Sequence, residues 1–210
     1  APTAGSVILA GVLLKMGAYG FLRFSLPMFP YAVKLLFLPL LVLSVTAIIY
    51  GAYVTLMQND MKRLIAYSSV SHMGFVTLGI FTLNQNGIEG GMLQMINHGV
   101  ITGALFLCIG MIYERTHTRM IDDYGGLSKT VPIFAVFFTL FTLAAIGFPG
   151  MNAFVGEFLI ISGAFKANMV IAAFTIIGVV LGVTYMVWLY YRVVLNEINP
   201  NTKSQLSDLD

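Results

Sequence analysis

The sequence predicts an all-α, polytopic membrane protein of about six transmembrane helices, one of them broken. Three observations carry this. Hydrophobic residues make up 58% of the 210-residue chain and charged residues only 10%, where a soluble domain is nearer a quarter charged. Six apolar stretches approach or exceed bilayer-spanning length, at roughly 5–24, 35–57, 64–83, 91–113, 132–165 and 170–195. The fifth is too long for one straight span and is interrupted by Gly147-Phe148-Pro149-Gly150.

Each stretch is continuously apolar rather than alternating, which excludes a β-barrel. A helix is then the remaining way to satisfy backbone polar groups in lipid. In the fifth stretch, proline removes a backbone donor and glycine lets the chain deviate. Two half-helices are therefore expected, near 132–146 and 152–165. Broken helices at membrane depth occur where they are buried or line a wet cavity, and in transporters they mark ion sites. A plain proline kink without a role is the alternative. The pairs Gly99/Gly103 and Gly178/Gly182 have the small-residue spacing that lets helices pack closely.

Residues 1–195 read as the membrane domain and 196–210 as a polar tail. The loop counts set the orientation. Lys62, Arg63, Arg115, Arg119, Lys129, Arg192 and Lys203 fall on one side, and Arg23, Lys34 and Lys166 on the other. The positive-inside rule puts the Glu114–Lys129 loop and the tail on the cytoplasmic or matrix side. The chain opens on Ala1, and no span follows residue 195. Both ends are expected to be cuts within a longer polypeptide.

The net charge of +2 and the scattered basic residues exclude a nucleic-acid stripe. Cys108 is the single cysteine. It forms neither an internal disulfide nor a four-cysteine zinc or iron–sulfur site. No metal-ligand cluster, phosphate loop or nucleotide motif is present. No cofactor or metal is expected on this chain.

Four ionisable residues lie inside the apolar stretches. Lys15 is about ten residues from each end of its span, so roughly 15 Å from either surface. Its stem is too short to reach the interface. A charge there costs about 2.5–3.5 kcal/mol even on the mildest scale. Glu157 lies eight residues beyond Pro149, inside the second half-helix. His72 has Ser68, Ser69 and Ser71 nearby, and His98 has Gln94 and Asn97. Histidine exchanges protons near neutral pH and suits a relay. Lysine, histidine and glutamate on separate helices make a proton path with water between them. The alternative is static ion pairing and hydrogen-bonded glue. His72 is the less favoured of the two histidines.

Longer runs carry a resemblance. They are Ala1-Pro-Thr-Ala-Gly-Ser-Val, Leu13-Leu-Lys15-Met-Gly-Ala-Tyr-Gly-Phe-Leu-Arg23-Phe, Asp60-Met-Lys-Arg-Leu-Ile-Ala-Tyr-Ser-Ser-Val-Ser-His72-Met-Gly, Tyr113-Glu-Arg-Thr-His117-Thr-Arg and Gly147-Phe-Pro-Gly-Met-Asn-Ala-Phe-Val-Gly-Glu157-Phe. Together they resemble the M-type (subunit 4) antiporter-like subunits of NADH:quinone oxidoreductase, respiratory complex I, up to about residue 195. The related subunit 5 usually has lysine where this chain has Glu157.

The resemblance implies the second half of a fourteen-helix fold, helices eight to thirteen. It gives proton-transfer roles to Lys15, His98 and Glu157, a less defined one to His72, and a helix break to Gly147, Pro149 and Gly150. It implies a proton-translocating subunit with no redox centre of its own. NADH, FMN, iron–sulfur clusters and quinone would be bound by other subunits of the complex. Expected partners are antiporter-like subunits 2 and 5, the lipid bilayer, protons and internal water. The expected location is the inner membrane of a bacterium or a mitochondrion. The fourteenth helix, the other broken helix with its lysine, and the glutamate of the fifth helix have no counterpart here. A subunit of a cation/proton (Na+/H+) antiporter is the alternative.

Overall fold

The computed structural model describes residues 2–197, 206 and 208. Helices dominate, and among the described residues the only β-pairing is an isolated bridge between Asp60 and Met120. Five helices are long and apolar enough to cross a membrane. They are α1 (Thr3–Met28), α3 (Phe37–Leu56), α4 (Met61–Phe81), α5 (Gln85–Thr116) and α9 (Met169–Leu195). The short α2 (Pro30–Leu35) links α1 to α3, and α6 (Leu127–Thr130) precedes the broken pair. That pair is α7 (Pro132–Ala145) and α8 (Asn152–Ala167). The break therefore falls where the Gly-Phe-Pro-Gly run places it.

Local chemistry sets the helix starts. Asp60 caps α4, accepting from the backbone N–H of Lys62 at 2.7 Å and of Arg63 at 3.0 Å. Asn84 caps α5 through Gly87 N–H at 3.0 Å. Asn168 caps α9 through Val170 and Ile171 at 2.9 and 3.2 Å. Asp208 accepts from Ile133 and Phe134 N–H at 2.9 and 3.2 Å, at the start of α7. Leu206 packs on the same core. Most of the expected polar tail, 196–210, lies outside the described residues.

The helices approach closely at small residues. A Cβ on Gly74 would lie 2.9 Å from Ile48 N, and one on Gly51 2.9 Å from Ser71 N. The contact leaves Ser71 Oγ free to donate to Ile48 O at 2.9 Å, tying α4 to α3. Of the two sequence pairs, Gly99 presses on Gly11 O and Gly178 on Ile48. A Cβ on Gly103 or Gly182 would make only ordinary contact, at 3.7 Å from Val7 and 3.8 Å from the Tyr185 hydroxyl. Helix α1 packs one narrow stripe, Ser6, Ala10 and Ala18, and leaves its remaining apolar face largely exposed. It is interrupted by two π-helical turns, Leu9–Leu13 and Phe21–Ser25. A π turn is one residue wider than an α turn and often sits at functional positions.

Candidate functional site

Four helices deliver the four intramembrane ionisable groups to one place. Lys15 on α1 is half-buried, and its Nζ reaches His98 Nδ1 on α5 at 2.7 Å. The ammonium also donates to Ala10 O, inside the first π turn. His98 is 3% exposed, and its ring lies 5.6 Å from the His72 ring on α4, centroid to centroid. His72 Nδ1 stands 3.7 Å from Glu157 Oε1 on α8. Glu157 is 7% exposed. The order is Lys15, His98, His72, Glu157. Sequence reasoning placed His72 at the margin. The structure makes it the middle link, because the close α3–α4 packing turns that face of α4 towards α5 and α8.

Supporting side chains fix the Glu157 end of this file. Gln94, one turn before His98 on α5, donates from Nε2 to Glu157 Oε1 at 3.1 Å. Asn97 donates to Asn152 O at 2.8 Å, and Asn152 donates back to Asn97 Oδ1 at 3.0 Å. This reciprocal latch holds the first turn of α8, and hence Glu157, against α5. His98 Nε2 is buried with no hydrogen-bond partner within the protein. It borders a small void shared with Ser68, His72, Gln94 and Thr102, with room on the scale of a single water. A second void of similar size joins Ser71, His72, Glu157 and Tyr185.

Tyr185 is the residue that sequence reasoning missed. It lies on α9, is fully buried, and its hydroxyl is 3.3 Å from His72 Nε2. With the hydroxyl as donor, neutral His72 carries its proton on Nδ1, the nitrogen that faces Glu157. A tyrosine in an apolar span gives no signal of this, since Tyr50 and Tyr53 also lie in such a span and are exposed. The expected result of Tyr185→Phe follows. It leaves His72 Nε2 buried without its partner, at a cost of about 1–3 kcal/mol. Thermal denaturation in detergent should show the loss, and proton transfer should slow several-fold while assembly persists.

The described residues contain no cluster of histidine, cysteine and carboxylate groups able to hold a metal. Cys108 is buried as a free thiol on α5. Lys62 and Arg119 border a separate polar pocket with Tyr113 and Glu114. Neither joins the file. What the arrangement offers chemically is a row of groups that take up and release protons, held in apolar surroundings and spaced for transfer directly or through single waters.

A family model for "NADH:quinone oxidoreductase/Mrp antiporter, TM" matches residues 1–182. The chain belongs to this family. Within it, the chain is 54% identical over its full length to NADH-quinone oxidoreductase subunit M of Rhodobacter capsulatus, covering 41% of that protein. It is equally 54% identical to NADH-ubiquinone oxidoreductase chain 4 of Marchantia polymorpha, covering 42%. The chain thus spans about two fifths of the length of the curated relatives it matches. Among solved structures, a chain of respiratory complex I from Thermus thermophilus aligns with TM-score 0.88 and 36% identity, over 93% of this chain and 41% of that one. A chain of an archaeal membrane-bound sulfane sulfur reductase aligns at 0.89 with 26% identity, over 99% of this chain and 36% of that one. A chain of the Mrp complex from Dietzia aligns less well, at 0.74 and 25%, over 78% and 31%. The family is a membrane one, and both bacterial and mitochondrial-type relatives share this half.

Proposed function

We propose that this chain is the proton-conducting second half of an M-type subunit in the membrane arm of NADH:quinone oxidoreductase. Electron transfer from NADH to quinone, through FMN and iron–sulfur clusters in other subunits, drives protonation changes that enter at Lys15. Antiporter-like subunits 2 and 5 are the proposed neighbours in the membrane. The single observation that carries this reading is the file of neighbouring groups Lys15–His98–His72–Glu157. A soluble or purely structural protein has little reason to set four ionisable side chains in a row inside apolar helices, given their cost at membrane depth.

The path is derived from the geometry. Lys15 and His98 are close enough to share one proton across a single hydrogen bond. The His98 and His72 rings, 5.6 Å apart centroid to centroid, share the lining of a small void with room for one water to bridge them. His72 Nδ1 then faces the Glu157 carboxylate at ion-pair range. Tyr185 holds the ring, and Gln94 holds the carboxylate.

The experiment is His72→Phe in the full-length subunit, within the assembled complex reconstituted into proteoliposomes. Phenylalanine keeps a ring and removes both nitrogens. Protons translocated per electron and NADH:quinone reductase rate are measured together. Loss of a positioned proton-transfer group costs about a hundredfold or more in that step, so pumping should collapse while the complex stays intact. Normal pumping and normal reductase rate in intact His72→Phe complex would sink the proposal.

A further inference from the structure

Gly147 does more than permit the helix break. Its φ is +72°, the left-handed region that L side chains rarely adopt. A Cβ built there would lie 2.5 Å from Glu157 Oε2 and 3.2 Å from its Cδ. The carboxylate therefore rests against the bare α-carbon of the turn. Its two oxygens face different surroundings. Oε1 accepts from Gln94 and looks towards His72. Oε2 is the oxygen nearest Gly147. Residues 148–150, just beyond, are exposed. The turn closes on itself, with Phe148 N–H donating to Leu143 O and Met151 N–H to Phe148 O, so those two backbone donors are not aimed at the carboxylate.

We propose that Gly147 is a positioning residue for proton release: its missing side chain forms the seat that lets Glu157 take a proton on Oε1 and give it up on the Oε2 side. The inference rests on the proton-transfer reading above. In the first step His72, having received a proton on Nε2 and become an imidazolium, gives up its other proton. The Nδ1–H bond breaks and an O–H bond forms on Oε1, leaving a neutral carboxyl and a neutral His72 that carries its proton on Nε2 and now donates to the Tyr185 oxygen. A half-turn about the Cγ–Cδ bond carries that hydroxyl to the Gly147 side. There the O–H bond breaks, and the proton passes to a water molecule on that side of the turn. The carboxylate is restored. A methyl group at position 147 would fill the space into which the hydroxyl must swing.

The turn supplies its own control. Gly150 also has a positive φ, +100°, but a Cβ there would meet nothing within 4 Å. Gly147→Ala and Gly150→Ala both strain the backbone of one turn, and only the first strikes the carboxylate. In the assembled, reconstituted complex, Gly147→Ala is expected to lower protons pumped per electron at least tenfold. Gly150→Ala should pump near the wild-type level with a comparable drop in melting temperature. Glu157→Asp shortens the side chain by one methylene, so Gly147→Ala/Glu157→Asp should pump better than Gly147→Ala alone. Where Gly147→Ala fails to assemble, the same rescue is read on assembly. Equal pumping by the two alanine variants, or no rescue by Glu157→Asp where that variant alone assembles, overturns the seat. Glu157→Gln separates this from the parent reading. If it pumps normally, the proton path itself fails. If it is inactive while Gly147→Ala matches Gly150→Ala, only the seat fails.

Discussion

Lys15→Ala is expected to abolish proton pumping while leaving the subunit folded and assembled. The lysine is the entry group of the file, and among the described residues it bonds to His98 Nδ1 and the Ala10 carbonyl. Removing it removes a charge whose placement at mid-span costs about 2.5–3.5 kcal/mol or more, which offsets the about 1–3 kcal/mol for leaving His98 Nδ1 without its partner, so net stability should change little. What is lost is the proton donor to His98, at about a hundredfold or more in rate. The sharper comparison is Lys15→Arg. Arginine keeps the positive charge and cannot be deprotonated in a protein. A static ion pair would tolerate it. A proton-exchanging site would not, and Lys15→Arg should pump as poorly as Lys15→Ala. Fluorescence-quench assays of proteoliposomes, read beside the NADH:quinone reductase rate, decide this. Wild-type pumping by Lys15→Arg would return the lysine to a structural role.

Glu157→Gln should be nearly as severe, for the complementary reason. Glutamine has the same shape and still offers a carbonyl oxygen to Gln94 Nε2, so the bond at 3.1 Å survives. The Asn97–Asn152 latch is untouched. Assembly and melting temperature should therefore stay close to wild type. An amide does not take up and release a proton at physiological pH, so transfer from His72 has nowhere to end. Pumping per electron is the measurement, and a normal value would remove Glu157 from the path. A protein in which the four groups were only glue would behave in the opposite way. Its Lys15 and Glu157 variants would fail to assemble rather than assemble and stay silent.

Much of this was legible before any coordinates. The six spans follow from apolar length. The break follows from Gly147 and Pro149, because those residues change what the backbone can do whatever surrounds them. Lys15 and Glu157 stood out because a charge in a hydrophobic run is costly and demands either a partner or a function. Other features were hidden for physical reasons. Helices α4 and α5 begin earlier than their apolar runs, since Asp60 and Asn84 cap polar first turns that hydropathy reads as loop. The centrality of His72 depends on which face of α4 turns inward, and that is set by the α3 contacts at Ser71 and Gly74 that flank the histidine, which exist only once α3 is packed against them. Tyr185 is invisible for the same reason. Its role exists only through the ring it touches on another helix.

The π turn at Leu9–Leu13 bears on how the lysine came to face inward at all. The inward stripe of α1 steps from Ser6 to Ala10, then to Lys15, then to Ala18. Those steps are four, five and three residues. In an uninterrupted α-helix a five-residue step rotates a side chain about 140° away from the starting face. The wide turn absorbs the extra residue and restores the phase, so Ala10 and Lys15 look the same way. Lys15 is thus aimed by the winding of the helix beneath it. Deleting Val12 or Leu13 would leave Ala10, Gly11 and Lys15 in the chain and still swing the helix N-terminal to the deletion out of register with Lys15, parting the Gly11–Gly99 seam from the Lys15–His98 bond that it now accompanies.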